Sequence, residues 1–182
     1  PPFTTSTLQQ EASRKLNMTP RRTMSVAQEL YEGIEIEGMG LTGLITYMRT
    51  DSLRLSDEAT AAAAQFIKSR YGDPYYPGKP RVFKTKGGAQ DAHEAIRPSD
   101  VTLEPDQIRQ SLSPDQYKLY RLIWLRFVAC QMADALLDTI SADILSEGYV
   151  FRASGHTVAF SGFTAVYEES TDDEKQGESG KP

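Results

Sequence analysis

Cysteine is nearly absent from this 182-residue sequence: Cys130 stands alone in an apolar helical run, so no disulfide framework can form. A chain without disulfides suits a reducing compartment, and a cytoplasmic location is the expectation. No apolar run approaches the roughly 20 residues that a bilayer crossing needs, and no signal-peptide pattern opens the chain. Histidine is confined to His93 and His156. The His93-Glu94 pair stands where a zinc helix of the HExxH type would begin, but Arg97 occupies the place of its second histidine. With Cys130 alone and His156 far along the chain, nothing here supports a zinc site. There is no internal repeat. The first residue is Pro1 rather than Met, as expected of a piece of something longer.

What is present is ordinary for a soluble globular chain, with 39% hydrophobic and 25% charged residues. The length allows one good core, or one domain with part of a second. The net charge of −5 is unevenly spread: residues 1–130 carry 17 Lys+Arg against 15 Asp+Glu, and residues 131–182 carry 3 against 10. The body is therefore near neutral, and a local arginine cluster in it could still bind phosphate.

Periodicity outlines the elements. Ser6 and Gln9 form a capping-box pattern ahead of a first helix with Leu8, Ala12 and Leu16 on one stripe, ended by Asn17-Met18-Thr19-Pro20. Hydroxyls at Thr4, Thr5, Ser6 and Thr7 either cap and turn or donate hydrogen bonds to a phosphate. Arg21 and Arg22 fall in the link, and Ser25 with Gln28 opens a second helix through Tyr31, a helix-turn-helix-like pairing. Residues 33–47 interleave apolar residues with glycines and predict two short strands, the second running straight into Tyr47. Ser56 caps a helix with Asp57 and Glu58 in its first turn, and Gly72 stops it. Residues 73–90 predict a loop whose prolines, aromatics and four basic residues suit either a nucleic-acid backbone or plain solvent. Ser113-Pro114-Asp115-Gln116 opens a helix whose broad apolar face, including Tyr120, Trp124 and Phe127, reads as core packing. After it, residues 139–144, 149–153 and 156–160 predict a three-strand meander with glycine turns, too small to be a complete domain. From Glu168 onward the chain is acidic and polar, and disorder is expected.

Two constellations carry chemistry. In Thr46-Tyr47-Met48-Arg49-Thr50-Asp51-Ser52, an extended backbone would put Tyr47, Arg49 and Asp51 on one side. There a phenol and a guanidinium could meet one phosphate, or Tyr47 could be half-buried beside a local Arg49–Asp51 ion pair. In Ala89-Gln90-Asp91-Ala92-His93-Glu94-Ala95-Ile96-Arg97-Pro98, a short helix would bring His93 and Arg97 to one face, suited to gripping an anion or to simple charge pairing.

Together with Pro2-Phe3-Thr4-Thr5-Ser6-Thr7-Leu8-Gln9-Gln10 and Ala27-Gln28-Glu29-Leu30-Tyr31-Glu32, these motifs make the sequence resemble the type IA DNA topoisomerases, in their bacterial topoisomerase I branch. The topoisomerase III branch typically has proline where Met48 stands and isoleucine where Arg97 stands. Leu53, where threonine is usual, departs from the pattern just outside the core motif. The resemblance covers residues 1–167. It implies an α+β, mainly α fold: a catalytic-tyrosine gate domain over residues 1–133 and a partial β-rich arch domain over 134–167, with the acidic tail that the composition marks following over 168–182.

The resemblance further implies that Tyr47 attacks one DNA strand, becomes linked to its 5′-phosphate and releases a 3′-hydroxyl, so that strand passage and resealing relax negative supercoils without ATP. An ordinary phenol is only about one part in a thousand ionised at neutral pH, so such an attack needs help. Arg49 would stabilise the developing charge. His93 and Arg97 are candidates for phosphate and DNA binding, with Gln28, Glu32, Thr46 and Asp51 in supporting roles. The family's Mg²⁺ sits on an acidic Toprim domain that nothing here resembles, so this chain is expected to bind no metal and, alone, not to relax DNA. The partners implied are single-stranded DNA in a negatively supercoiled duplex and the Toprim and remaining arch portions of the polypeptide, with no membrane. The alternative is a non-enzymatic helix-turn-helix-like DNA-binding module.

Overall fold

The computed structural model describes residues 1–84 and 93–168. Among the described residues, four α-helices and two small antiparallel sheets give the α+β, mainly helical fold expected. Its axis is α4 (Pro114–Gln131), opened by the capping box that the sequence predicts: Ser113 accepts from the Gln116 N–H, and the Gln116 side chain accepts in return from the Ser113 N–H. Leu119, Tyr120, Ile123, Trp124, Phe127 and Val128 are all buried, so α4 packs against other elements on nearly every side. The polar tips of its aromatics are satisfied: Tyr120 Oη donates to the Leu103 carbonyl at 2.8 Å and Trp124 Nε1 to the Val101 carbonyl at 2.9 Å.

Around α4 lie α1 (Thr5–Leu16), α2 (Pro20–Glu32) and α3 (Asp57–Tyr71). Helix α1 starts two residues earlier than its Ser6–Gln9 pattern suggests. Thr4 is the cap, sharing a reciprocal box with Thr7, because Phe3 must turn into the core immediately before it. Asn17, in the left-handed conformation (φ 53°), ends α1. Three residues later α2 begins, capped by Thr19 with Pro20 at its first position. Arg21 and Arg22 thus lie in its first turn rather than in a link, and Ser25 and Gln28 lie mid-helix. Helix α3 is capped by Ser56 and stopped by Gly72, as expected.

Strands β1 (Ile34–Ile36) and β2 (Gly40–Thr42) form the predicted hairpin, but β2 does not run on into Tyr47. The chain leaves the sheet at Gly43 and re-pairs singly, Ile45 bridging Pro98. The predicted meander is instead one long hairpin, β3 (Leu136–Ser146) against β4 (Tyr149–Phe160). Its turn is Glu147-Gly148, both at positive φ, whereas Gly155 sits inside β4 opposite Ile140. Nearly every residue of this hairpin is exposed on both faces.

The hairpin is anchored at its base. Ala133 N–H donates to the Tyr75 carbonyl and Phe163 N–H to the Ala133 carbonyl. Gly162 lies so close to Asp134 that an added Cβ would sit 2.4 Å from its carbonyl oxygen. Beyond β4, the buried Tyr167 Oη donates to Glu11 Oε2 of α1 at 2.7 Å. The Arg126 guanidinium lies about 5 Å from the ring centres of both Phe3 and Tyr167. Desolvation raises the Tyr167 phenol well above its ordinary value, with the hydrogen bond to Glu11 adding to it. No helix among the described residues is long and apolar enough to cross a membrane. The sequence expectations for 85–92 and for 169–182, including the acidic tail, lie outside the described residues.

Candidate active site

From Tyr47 to Ser52 the burial alternates strictly: Tyr47, Arg49 and Asp51 are exposed, while Met48, Thr50 and Ser52 are buried. The stretch is not a ladder strand, yet the period of two predicted for it holds. Its backbone is fixed from the inside. Thr5 Oγ1 donates toward the Met48 carbonyl at 2.8 Å and the Thr50 carbonyl at 3.0 Å, and it accepts from the Thr50 N–H at 2.9 Å. The Thr5 N–H donates to the same Thr50 carbonyl at 2.8 Å. At the start of α1, Thr4 therefore caps the helix and Thr5 holds the tyrosine loop.

The second motif is stitched to the first. Its described part, 93–98, is extended rather than helical: Ile96 bridges Phe3 and Pro98 bridges Ile45, so His93 and Arg97 do not share a helix face. The local pattern gives way because these residues complete a small backbone layer with segments that lie far away in sequence. Thr46 is its central rivet. Its N–H donates to the Arg97 carbonyl, its Oγ1 donates to the Ala95 carbonyl at 2.7 Å, and that oxygen accepts from the Arg97 N–H at 3.0 Å.

Of the eight residues singled out from sequence, Thr46 and Arg97 are joined by hydrogen bonds through the Arg97 backbone, and the Tyr47 and His93 rings lie side by side with centroids 6.2 Å apart. Arg97 is mostly buried; its Nε donates to Glu94 Oε2 at 2.7 Å and its Nη1 to the Pro98 carbonyl at 2.9 Å. Arg97 also lines a polar cleft of about 380 Å³ with Ser56, Ser99 and Asp100. Gln28 and Glu32 hydrogen-bond to one another along α2. Two residues escaped the sequence reading. Thr5 had a weak signal as one of four consecutive hydroxyls. Tyr31, whose ring meets Tyr47 edge-on with centroids 5.4 Å apart, gave no signal beyond its place in the Gln28–Glu32 motif.

Among the described residues no group of three or more His, Cys, Asp or Glu side chains could hold a metal ion. What this face offers is a half-exposed phenol on a rigid backbone, an exposed arginine two residues on, and an imidazole beside the ring. That is the equipment for a tyrosine to meet a phosphodiester.

The comparisons with known proteins give the family. A family model described as DNA topoisomerase matches residues 1–181. DNA topoisomerase 1 of Rickettsia felis is 51% identical over 181 residues, which is 98% of this chain and 23% of that protein. Full-length topoisomerase I from Thermotoga maritima is similar in structure, with a TM-score of 0.80 and 38% identity, over 94% of this chain and 27% of that one. The chain belongs to the type IA DNA topoisomerase family, in its bacterial topoisomerase I branch. It spans about a quarter of the length of these relatives.

Proposed function

We propose that this chain carries the tyrosine with which a type IA topoisomerase opens and reseals one DNA strand. The observation that supports this best is the alternation from Tyr47 to Ser52, which presents Tyr47 and Arg49 on one exposed side of a backbone locked from beneath. In the cleavage step Tyr47 Oη bonds to phosphorus and gives up its proton. The bond from phosphorus to the 3′-oxygen breaks, and that oxygen leaves as a hydroxyl after taking a proton. One phosphate ester has replaced another, so the 3′-hydroxyl can reverse the step without ATP.

Arg49 neutralises charge on the phosphate as the new bond forms, the kind of preorganised contact that contributes most to such reactions. His93 and Arg97 hold neighbouring phosphates, with Gln28, Glu32, Thr46 and Asp51 shaping the surface beneath them. Mg²⁺, on a Toprim domain elsewhere in the polypeptide, would supply further charge neutralisation; among the described residues no group of three or more His, Cys, Asp or Glu side chains could seat it. Residues 1–133 form the gate domain that moves with the cut strand, and 134–167 are returning strands of the neighbouring arch. On this reading the whole protein relaxes negative supercoils, and the present chain alone does not.

The test uses a polypeptide of the relatives' full length that carries this chain, incubated with labelled single-stranded DNA and Mg²⁺ and then denatured. Wild type is expected to carry covalently bound DNA, and Tyr47→Phe none. Binding without adduct in either protein would reduce the chain to a DNA-binding module.

A further inference from the structure

We infer that Tyr31 is a positioning residue for the cleavage step: the edge-to-face contact of its ring holds the Tyr47 phenol in its attacking orientation. The inference rests on the assignment of Tyr47 as the nucleophile and gives a role to a residue of the Gln28–Glu32 motif that the sequence reading left without one.

The geometry begins in the backbone. Helix α2 is stopped one residue beyond Glu32 by Gly33, at φ 125°. The chain then makes the β1–β2 hairpin and returns along the helix's last turn. There the Leu44 N–H donates to the Leu30 carbonyl at 2.8 Å. Gly43 lies so close that a Cβ on it would be 2.9 Å from the Tyr31 carbonyl oxygen, an approach that only glycine permits. Tyr31 is thus part of the surface against which the Tyr47 segment is laid down.

The side chains continue the contact. The two phenol rings are 5.4 Å apart at 67°, an edge-to-face geometry that aromatic pairs prefer. The His93 ring also lies beside Tyr47, with centroids 6.2 Å apart. A tyrosine 40% exposed on a rigid backbone still has staggered side-chain wells to choose from, and the ring pair selects among them. Selection matters because a reacting atom misplaced by about 1 Å can cost on the order of a hundredfold in rate. Tyr31 is itself 41% exposed, so shortening it does not open the core.

The test is single-turnover formation of the covalent adduct at saturating single-stranded DNA, in the full-length polypeptide, with the affinity for the same DNA measured separately. Tyr31→Ala is expected to slow adduct formation about tenfold, equivalent to about 1.4 kcal/mol, with the affinity unchanged. Tyr31→Phe, which keeps the ring, is expected to restore the wild-type rate, and Tyr31→Leu, which keeps only apolar bulk, is not. Three results would overturn the inference: an alanine variant as fast as wild type, a phenylalanine variant as slow as alanine, or a loss confined to DNA affinity, which would make the ring a base-stacking platform. Absence of adduct in the wild type would instead overturn the assignment of Tyr47, and this inference with it.

Discussion

Helix α4 and the β3–β4 hairpin are both rich in large apolar side chains, and they meet opposite fates. On α4, Leu119, Tyr120, Ile123 and Phe127 are buried, whereas Leu136, Ile140, Leu145, Tyr149 and Phe151 on the hairpin are all more than half exposed. Composition therefore does not decide burial; a second layer does. Helix α4 has α1, α2 and α3 around it, while two strands alone leave both faces of a sheet open. So much exposed apolar surface on one element is unusual for a free-standing chain and marks a surface made for covering. That fits the arch strands proposed above.

The contrast can be broken most sharply by truncation. Phe127→Ala is expected to cost about 3–5 kcal/mol in urea unfolding, as a fully buried aromatic does. Ile140→Ala on the hairpin is expected to stay within about 0.5 kcal/mol. Comparable losses at the two sites would show that the hairpin is covered in solution. At the seam between the two regions the expected effect is intermediate. Tyr167→Phe removes a donor from the buried Glu11 carboxylate and should cost about 1–3 kcal/mol. Limited proteolysis should then cut near residue 161 sooner than in wild type, and unaltered stability and cleavage would mean that the hairpin base is held by its backbone contacts alone.

The smallest effect concerns Cys130, whose thiol is pushed up from about 9 to about 11 by burial. A thiol-directed alkylating reagent at pH 8 should leave it unmodified until the body unfolds. Because its folded value lies above its unfolded one, its contribution to stability is complete below pH 9 and is lost as the pH rises toward 11. Cys130→Ala should flatten the fall in melting temperature across that window. Rapid native labelling would mean that the end of α4 opens independently of the rest.

The structure also separates what local sequence can specify from what it cannot. Both ends of α3 and the start of α4 were legible because each is set by residues within one turn: Ser56 and Gly72 in one case, and Ser113, Pro114 and Gln116 in the other. The start of α1 was misplaced because Thr4 and Ser6 are equally good caps in isolation; the choice falls to Thr4 because Thr5 is needed at Met48 and Thr50. Gly155 looked like a turn, but the register of β3 with β4 carries it through as a strand residue. The outward face of Tyr47, Arg49 and Asp51 was legible, since burial every second residue is a local property. The extended path of 93–98 was not, because its partners, Phe3 and Ile45, lie about fifty and more residues away in sequence. Tyr31 was missed for the same reason: its ring meets Tyr47 only after the chain has left α2 and come back.

The pairings of Phe3 with Ile96 and of Ile45 with Pro98 carry a consequence for folding order. Closing such loops costs entropy before any contact repays it, so helix contacts such as those between α1 and α2 are expected to form early and this layer late. Tyr47 would then acquire its setting only in the last stage of folding. A nascent or nicked chain ending before residue 93 would contain the tyrosine and lack the strand that completes its surroundings. The proposed DNA-cutting group would in this way be kept out of service until the rest of the body has assembled.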